Sequence, residues 1–142
     1  MTEHKFGETL SQAMCRVFVV EDHALLRVNL ETLIGMEDGL SSVGGAADGE
    51  SALEIIPERK PDVVLIDLSL PGMDGIELME KLLQEEPDLR CLIVSGSDMP
   101  APPEQARAAG ARGFIVKGDP AAILEAVHRV HAGEACFSSG LV

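Results

Sequence analysis

The chain has 142 residues, 46% of them hydrophobic and only 3% aromatic, a length that predicts one domain whose core is built from aliphatic side chains. With 24 Asp and Glu against 11 Lys and Arg, the formal net charge of -13 argues against this chain alone holding a nucleic-acid backbone. That surplus either keeps a small protein soluble or points to a cationic or metal-bearing partner.

Residues Met1 to Met14 show no periodicity and read as a loose arm. Arg16-Val17-Phe18-Val19-Val20 is a short apolar run that predicts a first strand, ending in the acidic pair Glu21-Asp22. From Ala24, Leu26, Leu30 and Leu33 recur at helical spacing until Met36, ahead of Asp38-Gly39. Leu40 to Ala46 is a glycine-bearing edge strand. Asp48 then caps a short helix carrying Ala52, Ile55 and Ile56 and ending around Pro57. Gly44-Gly45 beside this turn resembles a phosphate loop only superficially, since it follows the second strand rather than the first.

Val63-Val64-Leu65-Ile66, bounded by Pro61 and Pro71-Gly72, predicts a strand buried on both faces and ending in Asp67. Asp74-Gly75 opens a helix with Ile76, Met79, Leu82 and Leu83 on one face, stopped by Pro87. Cys91 to Val94 is the fourth strand, followed by Ser95-Gly96. Pro100, Pro102 and Pro103 lead into an alanine-rich helix that Gly110 closes. Gly113 to Val116 is the fifth strand, ending in Lys117. The last helix has Asp119 as cap, Pro120 at its first position and Ile123, Leu124, Val127 and Val130 on one face, and it ends at Gly133.

This alternation predicts a single doubly wound α/β domain with a five-stranded parallel sheet and right-handed crossovers. The expected boundaries are an arm over 1–14, the folded domain over 15–133 and the start of a linker over 134–142. Cys15, Cys91 and Cys136 lack CxxC or Cys/His spacing, so they read as buried thiols rather than a disulfide framework or a zinc site. They imply a reducing compartment, and neither a signal peptide nor a membrane-length apolar run is present; the expectation is a cytoplasmic protein without membrane contact.

In a parallel sheet the strand ends share one edge, which would gather Glu21, Asp22, Asp67, Ser95 and Lys117. Asp67 alone could be only a turn cap. Together, however, three carboxylates in a partly desolvated cleft repel unless a cation lies between them, and hard oxygen donors suit Mg²⁺. Lys117 and Ser95 add a mobile charge and a hydroxyl donor, which suits a phosphoryl group on or near Asp67.

Val20-Glu21-Asp22-His23, the stretch Val64 to Gly75, Ser95-Gly96 and Gly113 to Lys117 together resemble the receiver domain of two-component response regulators. Glu21 to Arg27 and the tail His131 to Ser138 are similar to the NarL/LuxR subgroup. The resemblance spans about Arg16 to Gly133 and implies a CheY-like, flavodoxin-like fold with strand order 2-1-3-4-5. It implies that Asp67 accepts a phosphoryl group from a sensor histidine kinase. By the same resemblance, Asp22 and Asp67 hold Mg²⁺ with the Ser69 backbone carbonyl, and Glu21 acts through water. Lys117 and Ser95 would contact the phosphoryl oxygens, and Phe114 would follow Ser95 inward, shifting the face made by the fourth helix, fifth strand and fifth helix. A helix-turn-helix DNA-binding domain follows in that subgroup, and this chain stops where its linker would begin.

Phe114 stands where Tyr is also frequent, and Gly118 where many receivers carry a cis proline. Ser69 and Ser97 flank the site and would tune phosphoryl lifetime. His23 reads as a surface histidine, and His128 with His131 has chelating spacing without a third ligand nearby. Met73 and Met79 read as loop and core. The outer edge of the last helix offers a face for a homodimer. Rival readings are an aspartate-nucleophile phosphatase, which usually carries a second Asp where Ser69 stands, and a flavin or nucleotide binder, which Glu21-Asp22 would repel. A phosphorylation-independent adaptor is the third.

Overall fold

The apolar runs form strands and the helical-period stretches form helices in the computed structural model, which describes residues 14–96 and 103–137. In chain order the elements are β1 (Cys15–Val20), α1 (Ala24–Met36), β2 (Leu40–Ala46), α2 (Gly49–Arg59), β3 (Val63–Asp67) and α3 (Gly75–Glu85). They continue with β4 (Arg90–Ser95), α4 (Pro103–Ala108), β5 (Gly113–Val116), α5 (Pro120–His131) and β6 (Cys136–Phe137). The sheet has the order β2-β1-β3-β4-β5-β6 and every pairing is parallel. This is the expected doubly wound order with one further strand at its edge.

Side chains alternate between the two faces of each strand, and the alternation divides the core in two. Val17 and Val19 of β1, Val63 and Leu65 of β3, and Leu92 and Val94 of β4 pack with Leu30 and Ile34 of α1 and with Ile123, Val127 and Val130 of α5. The intervening Phe18, Val20, Val64, Ile66, Cys91 and Ile93 pack under α2, α3 and α4 with Ile56, Leu78, Met79 and Leu82. Each fully buried aliphatic side chain contributes about 1.5–3 kcal/mol, so the central strands are held from both sides.

Three of the helices begin as their caps predict. The carboxylates of Asp48, Asp74 and Asp119 accept from the backbone N–H of Ser51, Glu77 and Ala121 at 2.7, 2.9 and 3.0 Å, satisfying donors that the first turn leaves unpaired.

Some local expectations change. Helix α2 runs through Pro57 to Arg59, because a proline in a last turn removes one backbone hydrogen bond without displacing the packed Ile56, and Lys60 closes the helix in the left-handed region. Leu78 joins Met79 and Leu82 on the buried face of α3, while Ile76 and Leu83 are only partly buried. Beyond α5, Cys136 and Phe137 pair with Gly113 and Phe114 as β6, whereas the sequence pattern predicts the start of a linker there. The Lys117-Gly118 bond is trans. Pro100, Pro102 and Ser97, the arm before Met14 and the tail from Ser138 lie outside the described residues.

Candidate functional site

The alternation that builds the core also aims the site. Glu21 follows Val17 and Val19, Asp67 follows Val63 and Leu65, and Lys117 follows Ile115, each one step further along the face covered by α1 and α5. All three therefore emerge on one side of the sheet at its carboxyl edge. Lys117 Nζ lies 3.0 Å from Glu21 Oε1 and 3.2 Å from Asp67 Oδ2, bridging the two acids. Glu21 is 2% exposed and Asp67 4%. Beneath them is a cavity of about 60 Å³ walled by Leu26, Leu30, Leu65, Val94 and Ile123.

Backbone contacts complete the geometry. The N–H of Ser69 donates to Asp67 Oδ1 at 3.1 Å, and the N–H of His23 donates to Glu21 Oε2 at 3.1 Å. Two positioning residues escaped the pattern reading. Arg27 Nη1 donates to the Glu21 carbonyl at 2.6 Å, tying the first turn of α1 to the end of β1. A Cβ on Gly75 would collide with the Asp67 carbonyl, so a glycine is needed where α3 begins against the end of β3. The signals were present as an arginine six residues after Glu21 and as the Asp-Gly pair, but neither names its contact.

The electrostatics are unequal across the bridge. Burial, then the charge of Glu21, pushes the Asp67 carboxyl up to about 6, against the opposing pull of the Ser69 N–H and Lys117. Burial also pushes the Glu21 carboxyl up, but hydrogen bonding to Lys117 and the His23 N–H outweighs it and holds that group below the usual carboxylate range. Burial works against the charge on Lys117, yet its two acidic partners hold the ammonium above its ordinary value. One lysine thus faces two desolvated carboxyls: Glu21 keeps its charge, and the cost of the second negative charge is borne at Asp67.

The remaining expected residues divide between the neighbourhood of this bridge and other parts of the fold. Asp22 is exposed beside Glu21, its Oδ1 3.7 Å from His23 Nδ1, and the oxygens of Glu21 and Asp22 with a ring nitrogen of His23 lie within 4.8 Å of one another. Ser69 is exposed next to Asp67. Ser95 is buried at the end of β4, its hydroxyl 3.3 Å from the Gly96 carbonyl. Phe114 is 3% exposed and already packed in the core under α2, α3 and α4, on the opposite face from Asp67. His128 is not paired with His131 in a chelate; its Nε2 lies 2.9 Å from Glu37 Oε2. Among the described residues the carboxylates at ligand distance are Glu21 and Asp22, while Asp67 is joined to Glu21 through Lys117; the hard oxygens of all three are the donor type that suits a divalent cation such as Mg²⁺.

The model of the response regulator receiver domain matches residues 17–128. The chain is 39% identical over 126 residues to the response regulator GacA of Pseudomonas viridiflava, covering 88% of this chain and 59% of that protein. It is 33% identical over 132 residues to the nitrate/nitrite response regulator protein NarL of Escherichia coli (strain K12), covering 92% of this chain and 61% of NarL. The chain thus spans about three fifths of the length of these relatives. A LuxR-family two-component response regulator from Aurantimonas sp. SI85-9A1 superposes with a TM-score of 0.81 at 32% identity, covering 90% of this chain and 92% of that one. The signal receiver domain of the putative response regulator NarL from Mycobacterium tuberculosis gives 0.78 at 35% identity, with coverages of 85% and 98%. The acid and lysine bridge thus sits at the carboxyl edge of a domain that belongs to the response regulator receiver family, of the NarL/LuxR-like kind.

Proposed function

We propose that Asp67 is the phosphoacceptor of a two-component signalling switch, taking a phosphoryl group from a phosphohistidine on a sensor kinase. The observation that carries this reading is the bridge itself: a desolvated carboxylate at a strand end, oriented by the Ser69 N–H and 3.2 Å from a lysine ammonium. In the transfer an Asp67 carboxylate oxygen attacks phosphorus, the phosphorus–nitrogen bond to the donor imidazole breaks, and the electron pair leaves with that ring, which is protonated from solvent. The product is an acyl phosphate on Asp67.

Lys117 would move from its two-carboxylate bridge to the phosphoryl oxygens, a small displacement for a flexible point charge. The Ser95 hydroxyl would turn toward the same oxygens. Bound Mg²⁺, held by Asp22, Asp67 and the Ser69 carbonyl with Glu21 acting through water, would neutralise phosphoryl charge during transfer. Because Phe114 is already buried, the output would begin with Ser95 and the end of β4 and pass to α4, β5 and α5. We propose transcription control as the output, through a DNA-binding segment outside this chain, with the receiver acting in the cytoplasm. Among the described residues no helix is long and apolar enough to cross a membrane. A homodimer through the outer edge of α5 is consistent with this role.

Incubation with Mg²⁺ and acetyl phosphate, followed by intact mass measurement, tests the reading. One added phosphoryl group in the wild type, absent in Asp67→Asn, supports it. No adduct with any small donor would leave a phosphorylation-independent adaptor as the better account, and multiple turnover of phosphoesters would favour a phosphatase.

A further inference from the structure

At the opposite edge of the sheet, three segments distant in sequence converge. Cys15 opens β1, Asp62 immediately precedes β3, and His131 ends α5, and their sulfur, carboxylate oxygen and ring nitrogen all lie within 4.8 Å of one another. We propose that Cys15, Asp62 and His131 form a site for a divalent transition-metal ion of the Zn²⁺ class, separate from the phosphoryl-transfer cleft.

The donor set is mixed sulfur, nitrogen and oxygen, the combination that suits zinc and its first-row neighbours rather than Mg²⁺. Tetrahedral coordination with metal–ligand lengths of roughly 2.0–2.3 Å places ligand atoms about 3.3–3.8 Å apart, so an ion would draw these groups together by on the order of 1 Å. The carboxylate is held in place by the backbone of Arg16. Its Oδ2 accepts the Arg16 N–H at 2.9 Å, and the Asp62 N–H in turn donates to the Arg16 carbonyl at 2.8 Å, which fixes the residue beside Cys15 and His131. His131 stands at the carboxyl end of α5, where the helix dipole favours positive charge.

Asp62 and His131 are both partly exposed, giving an ion a route from solvent, while the thiol is fully buried behind them. Burial, followed by the Asp62 charge, pushes the thiol up to about 12, with Arg90 pulling it partly back. A thiol so placed is inert as a free nucleophile. Metal binding replaces its proton: the sulfur–hydrogen bond breaks, the proton passes to buffer, and the sulfur–metal bond forms. Three protein ligands leave a fourth position for water.

Cobalt titration of the full chain in excess Mg²⁺ tests this, because Co²⁺ in a thiolate site gives a charge-transfer absorption that oxygen-only sites lack. The expected result is a saturable band at one equivalent, displaced by Zn²⁺, absent in Cys15→Ser and weakened at least tenfold in affinity in His131→Gln and Asp62→Asn. It should persist in Cys136→Ser and in His23→Gln, which alters the acidic cluster at the other edge. Since Cys15 is a core residue, His131→Gln is the decisive variant if Cys15→Ser fails to fold. Absence of the band in the wild type, its loss in Cys136→Ser, or its full retention in His131→Gln would overturn the proposal.

Discussion

The two edges of the sheet handle ionisable groups differently. At the carboxyl edge Glu21, Asp67 and Lys117 are each the next residue along an apolar strand, so the alternation that buries valines and leucines also delivers two acids and a lysine to one cleft. At the amino edge Cys15, Asp62 and His131 come from a strand start, a loop and a helix end, and share no pattern. The first edge is governed by charge and hence by pH; the second by a thiol, an imidazole and a single clamped carboxylate. A fold can therefore advertise one site in its strand pattern and assemble another solely through packing.

The largest effect that would sharpen this contrast is expected from Lys117→Ala. Removing the ammonium leaves Glu21 and Asp67 desolvated with only a backbone N–H each and no counter-charge, a loss on the order of 2–4 kcal/mol given the partial exposure of Lys117. Urea unfolding should show that loss at pH 8 and a smaller one at pH 4, where the acids can protonate. Equal losses at both values would break the charge-dominated account of this edge.

Gly75→Ala should cost about 1–3 kcal/mol, because the added methyl meets the Asp67 carbonyl rather than a movable side chain. Thermal unfolding would measure it, and reduced phosphoryl uptake should accompany it if the displaced carbonyl carries the Asp67 side chain with it. Asp67→Asn should act in the opposite direction. The Asp67 carboxyl sits at about 6 in the folded chain against 3.8 for an ordinary Asp, so the folded form binds its proton more tightly. Its favourable contribution is full below about pH 4 and is lost as pH rises through 6. In Mg²⁺-free buffer the variant should therefore become more stable than the wild type by on the order of 1–3 kcal/mol above pH 6, and near-equal at pH 4. A gap that is independent of pH would contradict the raised value. The smallest effect is expected from Asp74→Ala, which removes the cap bond to the Glu77 N–H and should cost about 1 kcal/mol in thermal unfolding.

Much of this edge was legible in the sequence because periods of two and of 3.6 residues are local. Val63 to Asp67, the caps Asp48, Asp74 and Asp119, and the strand-terminal Glu21 and Lys117 all declare themselves within a few residues. What escaped was non-local or too short. Cys136-Phe137 shows no periodicity in two residues, and its strand character comes from pairing with Gly113 and Phe114. The ring of Phe137 also lies over Arg107 of α4, 3.9 Å from the guanidinium carbon, a contact no spacing rule predicts. The Arg27 contact with the Glu21 carbonyl depends on where α1 turns back, and the meeting of Cys15 with His131 depends on the whole fold being assembled.

The proposed switch requires that Asp67, rather than any other carboxylate, carry the phosphoryl group. Peptide mapping after acetyl phosphate and Mg²⁺ treatment, with borohydride reduction to trap the acyl phosphate, tests it most directly. One modified residue, Asp67, is expected, with loss of the signal in Asp67→Asn and no transfer to Glu21 or Asp22. Modification that remains in Asp67→Asn, or that maps to Glu21 or Asp22 in the wild type, would contradict it.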